Sequence, residues 1–185
     1  MTTVFEEVEL AIKGGYFTPP KPKNEQDDKD RKIIAALESA GKLMIQRKHD
    51  GNGHLATIGA KSREIDIYTL GLNPVAGKYP HLVKGLHAAR FPGRTLMCSE
   101  IFCTVNGVHD RYEATRFTNL SVENALEHQR TSDMYPAMAF FNTLIWNGED
   151  ATTLSNHDRY HCILDHLKRT GSIDHVQTTE LVEAS

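Results

Sequence analysis

Two long apolar runs constrain this chain more than anything else in it: TLMCSEIFCTV at residues 95–105 and MAFFNTLIW at residues 138–146. Both are suited to buried strands, and each is closed by an Asn-Gly pair, Asn106-Gly107 and Asn147-Gly148. Two strands of that kind need a sheet covered on its faces, so the rest of the chain must supply shorter strands and helices to pack on them. Glu64 to Leu70 alternates as a strand should, with Ile65 and Ile67 on one side, and Asn73-Pro74 breaks it. Leu43-Met44-Ile45 and Leu55-Ala56-Thr57-Ile58 are expected as two strands joined in a hairpin at Asp50 to Gly53.

Helical periodicity takes over elsewhere. Ile33, Ile34, Leu37 and Ala40 share one side of a segment from Asp28 that Gly41 should stop. Leu82, Val83 and Leu86 do the same within 79–89, and Cys162, Ile163 and Leu167 within 158–169; Thr179 to Val182 is expected as a last short strand. Near the start, Val4, Val8, Ala11 and Ile12 keep helical spacing up to Gly14-Gly15, and YFTPPKPKNEQ at 16–26 reads as an extended connector. The expected organisation is therefore an N-terminal helix and Pro/Lys-rich connector over 1–26, then one domain over 27–185. Its class is α+β, mainly antiparallel sheets flanked by helices.

Bulk properties narrow the function. A chain of 185 residues with 39% hydrophobic content can bury one core but not two comfortable ones. It holds no run of about 18 apolar residues, and the start MTTVFEEVEL is acidic where a secretory leader would be basic. We therefore expect no membrane association and a cytoplasmic protein, or one in the host cytoplasm if the source is viral. Cys98, Cys103 and Cys162 are odd in number and lack paired spacing, so reduced thiols are expected rather than a disulfide framework or a cysteine zinc site. His157 and His161 stand four apart on a helix, but no third ligand accompanies them, and no metal-ligating residue is assigned. A formal net charge of −3 leaves any nucleic-acid contact to a local patch, for which Lys78, Lys84, Arg90 and Arg94 are candidates.

The segment QRKHDGNG, residues 46–53, is the chemical candidate. A free lysine titrates near 10.4, so at neutral pH only about one in a few thousand is nucleophilic, a deficit of roughly 4 to 5 kcal/mol. Desolvation against Met44 and Ile45, like charge from Arg47 or His49, or a bound divalent cation would lower that barrier for Lys48. Gly51 and Gly53, having no Cβ, would leave room beside the backbone for a phosphate. Asp50 could orient the ammonium or hold a cation, on the same face as Lys48 if the strand continues. A solvated surface hairpin is the plainer alternative for the same residues.

Several blocks in order make the chain resemble the adenylation (nucleotidyltransferase) domain of ATP-dependent DNA ligases. Lys48-His49-Asp50-Gly51 matches that family's Lys-x-Asp-Gly motif I, and Ser62-Arg63 its Ser-Arg pair. Tyr79-Pro80-His81-Leu82 matches a stretch that opens a helix. Glu100, within Met97-Cys98-Ser99-Glu100-Ile101, keeps the acidic residue of motif III, and Phe141-Asn142-Thr143-Leu144-Ile145-Trp146-Asn147-Gly148 follows motif IIIa. Leu154-Ser155 with Arg159 and Ile163 follows the phrase after it, so the resemblance spans about 42–170.

The resemblance implies the ligase and capping-enzyme nucleotidyltransferase fold, in part, and a first half-reaction in which Lys48 attacks the ATP α-phosphate and becomes AMP-lysine. Glu100 would hold the ribose hydroxyls, Phe141 stack on adenine, Gln46 accept from the adenine amine and Arg63 face phosphates, with Asp50 and Gly51 supporting. Mg2+ or Mn2+ and nicked double-stranded DNA are implied with ATP. The chain departs from the family where Gly53 replaces an arginine and Gln46 a glutamate. It also departs where the metal-binding motif IV, the lysine-bearing motif V and the OB fold do not occur before Ser185. The expectation is an N-terminal part of a ligase whose later motifs come from a separate chain, or a truncated remnant. A guanylyltransferase or RNA ligase of the same superfamily, and a non-catalytic DNA-binding domain, are the alternatives.

Overall fold

The computed structural model describes residues 28–40, 43–61, 64–132 and 134–182. The helix and connector expected over 1–26, the stop at Gly41, and Ser62-Arg63 lie outside the described residues. In chain order the elements are α1 (Asp28–Ser39), β1 (Ile45–Gln46), β2 (Asn52–Ile58), β3 (Ile65–Thr69), α2 (Pro80–Ala89), β4 (Thr95–Val105), β5 (Val108–Asp110), α3 (Arg111–Asn119), α4 (Val122–Ser132), β6 (Ala137–Trp146), β7 (Glu149–Asp150), α5 (Asn156–Thr170), β8 (Val176–Thr178) and β9 (Leu181–Val182).

The two apolar runs are β4 and β6, and they lie side by side at the centre of an α+β fold. The main sheet runs β3-β2-β4-β6-β7, with β5 added to the far end of β4 and β8 beside β6; only β8 is parallel to its neighbour. Central position explains their composition, because both faces of both strands are covered. On one face Ala56, Ile67, Met97, Ile101, Met138 and Phe140 meet Leu82 and Leu86 of α2 and Ile163 of α5. A smaller cluster of Leu55, Tyr68, Leu96, Cys98 and Leu144 lies on the other. Side chains alternate along a strand, so Glu100 falls on the face of Cys98.

Both Asn-Gly pairs turn hairpins, β4 to β5 and β6 to β7. Asn106 and Gly107 have φ of 51° and 80°, Asn147 and Gly148 of 54° and 85°, the left-handed pairing that suits the strand twist. Pro80 opens α2 in its first turn, where a missing N–H is harmless. Ser155 caps α5 by accepting from the Asp158 N–H, and Tyr160 joins the expected Ile163 as a buried residue of that helix.

Four expectations need correction. No hairpin forms at Asp50 to Gly53: β1 pairs antiparallel with β9 in a separate two-stranded sheet, because both edges of β2 are taken by β3 and β4. Helix α1 forms, but Ile33 and Leu37 on its apolar side remain 36% and 39% exposed. The last strand is two short pieces, β8 on the main sheet and β9 on the small one. Residues 111–132, where hydrophobic periodicity assigns nothing, form α3 and α4; Asp110 caps α3 by accepting from the Glu113 N–H at 3.0 Å. Among the described residues no helix is long and apolar enough to cross a membrane.

Candidate active site

The Lys48 segment crosses from the small sheet to the main one, and each step of the crossing is tied. Gln46, ending β1, donates from Nε2 to the Phe141 carbonyl at 3.3 Å. The Arg47 N–H donates to the Glu180 carbonyl at 2.9 Å, and its guanidinium pairs with the Glu180 carboxylate at 3.1 Å. On the far side the Gly51 N–H donates to Glu100 Oε1 at 3.0 Å. Between these anchors Lys48 Nζ lies 3.9 Å from the same oxygen and donates to the His49 carbonyl at 3.2 Å.

Phe141 reaches this face through an irregularity in the ladder. Ser99 pairs with Phe140 and Cys98 with Asn142, so Phe141 is the extra residue of a bulge. Its ring packs partly buried against the Cys98 cluster, whereas Phe140 is fully buried in the main core, edge-on to Phe91. The two neighbouring phenylalanines therefore differ: Phe140 is core, and Phe141 is half-buried on the Cys98 face.

The structure thus brings together Gln46, Lys48, Gly51 and Glu100, with Phe141 tied to the crossing through its backbone carbonyl. Asp50 is exposed at a bend rather than on a continuing strand, so alternation does not set its direction. Arg63 lies outside the described residues.

Packing requires a glycine at position 51. A Cβ on Gly51 would sit 2.3 Å from the Ile101 carbonyl oxygen, so the segment can lie on β4 only without one. A Cβ on Gly53 would meet only the Leu70 side-chain end, at 2.8 Å.

Three of the residues expected to act on the amine are engaged elsewhere, exposed or uncharged. Arg47 is paired with Glu180, and Ile45 is 38% exposed. His49 is 2% exposed; burial first, then the neighbouring His109 and Arg47, hold its imidazole down at about 4, so it is uncharged at neutral pH. The Lys48 side chain itself is 63% exposed.

Sequence reasoning missed the neighbours that hold the segment. His49 stacks on Phe102 with centroids 4.5 Å apart, its Nδ1 lies 3.3 Å from that of His109, and Glu180 receives Arg47. No local pattern marks these residues, since they come from β4, β5 and the loop before β9. The basic patch expected along α2 is reduced: Lys78 donates to the Thr118 carbonyl at 2.7 Å, and burial lowers its pKa. Lys84, Arg90 and Arg94 are exposed. The rings of His157 and His161 lie tilted against each other with centroids 4.2 Å apart, and among the described residues no three His, Cys, Asp or Glu side chains gather as a metal-holding group.

Solved structures share this architecture. A mycobacterial DNA ligase D complexed with ATP and MES matches with a TM-score of 0.53, over 76% of this chain, at 15% sequence identity. The fold is ligase-like. The chain spans 40% of the length of that protein. No protein-family model matches the chain, and no curated protein sequence does.

Proposed function

We propose that the chain is the nucleotidyltransferase part of an ATP-dependent DNA ligase and that Lys48 is its nucleophile. The observation that carries this reading is the convergence of Lys48, Glu100, Gln46 and Phe141 on one face, with Lys48 Nζ 3.9 Å from Glu100 Oε1. These four residues are separated by up to 95 positions in the chain and meet only through the crossing segment. The match of their order to a ligase adenylation domain, and the ligase-like fold, point the same way.

In the proposed step the Lys48 amine, after giving a proton to solvent, attacks the α-phosphorus of ATP. A nitrogen–phosphorus bond forms and the nitrogen gives a second proton to solvent, while the bond from that phosphorus to the bridging oxygen breaks and pyrophosphate leaves. The AMP is then passed to the 5′-phosphate of nicked double-stranded DNA. Glu100 accepts from the ribose hydroxyls, and the hydrogen bond from the Gly51 N–H and the ion pair with Lys48 hold it in place for that. Phe141 stacks on the base, a contact worth about 1 to 3 kcal/mol by analogy with other base–aromatic pairs. Gln46 accepts from the adenine amine through its side-chain oxygen, which its Nε2 bond to the Phe141 carbonyl leaves free.

A divalent cation, magnesium or manganese, suits this site as a companion of the nucleotide. Asp50 offers one exposed carboxylate two residues from Lys48, which fits an ion held mostly by phosphates and water. Such an ion supplies charge neutralisation at the phosphates.

Incubation with ATP labelled at the α-phosphate, magnesium or manganese, and a denaturing gel tests the reading. Label should appear on the protein, vanish in Lys48→Ala and be competed by ATP above GTP. Label that survives Lys48→Ala refutes the assignment, and stronger competition by GTP moves the chain to the guanylyltransferases. DNA binding that is salt-dependent and unchanged in Lys48→Ala, with no labelling, would favour the non-catalytic alternative.

A further inference from the structure

We propose that His109 is a positioning residue for Lys48, acting through a hydrogen bond that fixes the buried imidazole of His49; this rests on reading Lys48 as the nucleophile. The Lys48 amine donates to the His49 carbonyl at 3.2 Å, so the amine goes where His49 is held. The His49 ring is held on two sides. It lies nearly parallel to Phe102, 16° between planes, and its Nδ1 is 3.3 Å from His109 Nδ1. His109 also tilts onto Phe102 at 4.5 Å, closing a three-ring group over the end of β4.

The hydrogen bond has a direction. Two Nδ1 atoms at that distance are bonded only if one of them carries the proton. His49 Nε2 is buried and has no partner, and a hydrogen placed there would strand a buried donor, which proteins avoid more strictly than a bare acceptor. His49 therefore keeps its hydrogen on Nδ1 and donates, while His109 accepts on a bare Nδ1. The β4–β5 hairpin makes this possible: its Asn-Gly turn sets the register that places His109 opposite Thr104, on the face of Phe102. A turn more than fifty residues downstream thus sets the position of the nucleophile.

Two variants separate this role from plain packing. His109→Leu keeps bulk but removes the acceptor; His109→Asn puts an amide oxygen close to the lost Nδ1. The expected result is a single-turnover labelling rate at saturating ATP that falls about tenfold in the leucine variant, the net worth of one hydrogen bond, and recovers in the asparagine variant. The ATP concentration for half-saturation should change less than about threefold in either. Nitrogen-15 NMR of the wild type should show His49 protonated on Nδ1. The carbon-13 resonance of the methylated Lys48 amine, assigned with Lys48→Arg, should shift in His109→Leu and return in His109→Asn. Equal labelling by the two variants, a wild-type hydrogen on His49 Nε2, or a Lys48 resonance indifferent to both overturns the proposal. A wild type that takes no label overturns the nucleotidyltransfer reading instead, and the NMR shifts then decide the positioning role alone.

Discussion

Replacing Gly51 by alanine tests how the Lys48 segment is mounted. The added Cβ would stand 2.3 Å from the Ile101 carbonyl oxygen, 2.9 Å from its carbon and 3.0 Å from Glu100 Cγ. The first two are backbone atoms of the central strand β4, and they cannot give way as a flexible side chain could. The segment must lift, and lifting breaks the charge-assisted bond from the Gly51 N–H to Glu100. Overpacking of this kind costs about 1 to 3 kcal/mol and the lost bond about 1.5 to 3, so the total is roughly 2.5 to 6 kcal/mol. At about 2 to 4 °C per kcal/mol for a chain of this size, a melting temperature lower by roughly 5 to 24 °C follows. Labelling from ATP should be lost even where the fold survives, because Glu100 and Lys48 part. Gly53→Ala is the internal control: its Cβ meets only the Leu70 side-chain end, which can rotate, so the loss should stay below about 1 kcal/mol. Thermal unfolding and labelling of both variants measure this. A Gly51→Ala protein that melts and labels like the wild type would refute the account.

Three further outcomes are expected. Phe140→Ala should lose about 3 to 5 kcal/mol of stability by chemical denaturation, while the half-buried Phe141→Ala loses much less stability but weakens ATP binding; equal destabilisation by the two would contradict their assignment. His54 is 1% exposed, and burial holds it, like His49, at about 4 against 6.5 in the unfolded chain. The unfolded state then binds protons that the native state refuses, so stability is full above pH 6.5 and falls as pH drops towards 4, by about 3 kcal/mol for each histidine at the limit. Urea titrations between pH 7 and 4.5 measure the loss, and an NMR titration of His54 centred near 6.5 would contradict it. Glu100→Gln keeps an acceptor for the Gly51 N–H but drops the charge facing Lys48, so it should fold normally and label more slowly than wild type in the radiolabel assay.

How much of this was legible beforehand depends on the range of the signal. Strands β3, β4 and β6, helices α2 and α5 and the turns at Asn106 and Asn147 were readable because their causes are local: alternation, 3.6-residue spacing and φ-tolerant turn residues act within a few positions. Helices α3 and α4 were not, since buried Ala114, Phe117, Ala125 and Gln129 make too sparse a stripe to register. The hairpin expected at Asp50 failed for a non-local reason: the edge of β2 that it needed is occupied by β4, a strand some forty residues later.

Residue types, in contrast, were fixed by the chain itself. A lysine followed by Asp50 and Gly51, a carboxylate at 100 and adjacent phenylalanines at 140 and 141 can be named from the sequence. Which phenylalanine lies on the Cys98 face was decided by a bulge between β4 and β6, and the need for glycine at position 51 by the carbonyl of Ile101. Pairing of Arg47 with Glu180, and of His49 with His109, belongs wholly to the tertiary structure. The physical reason is that a contact energy depends on distance in space, and only the folded sheet order says which distant residues become neighbours.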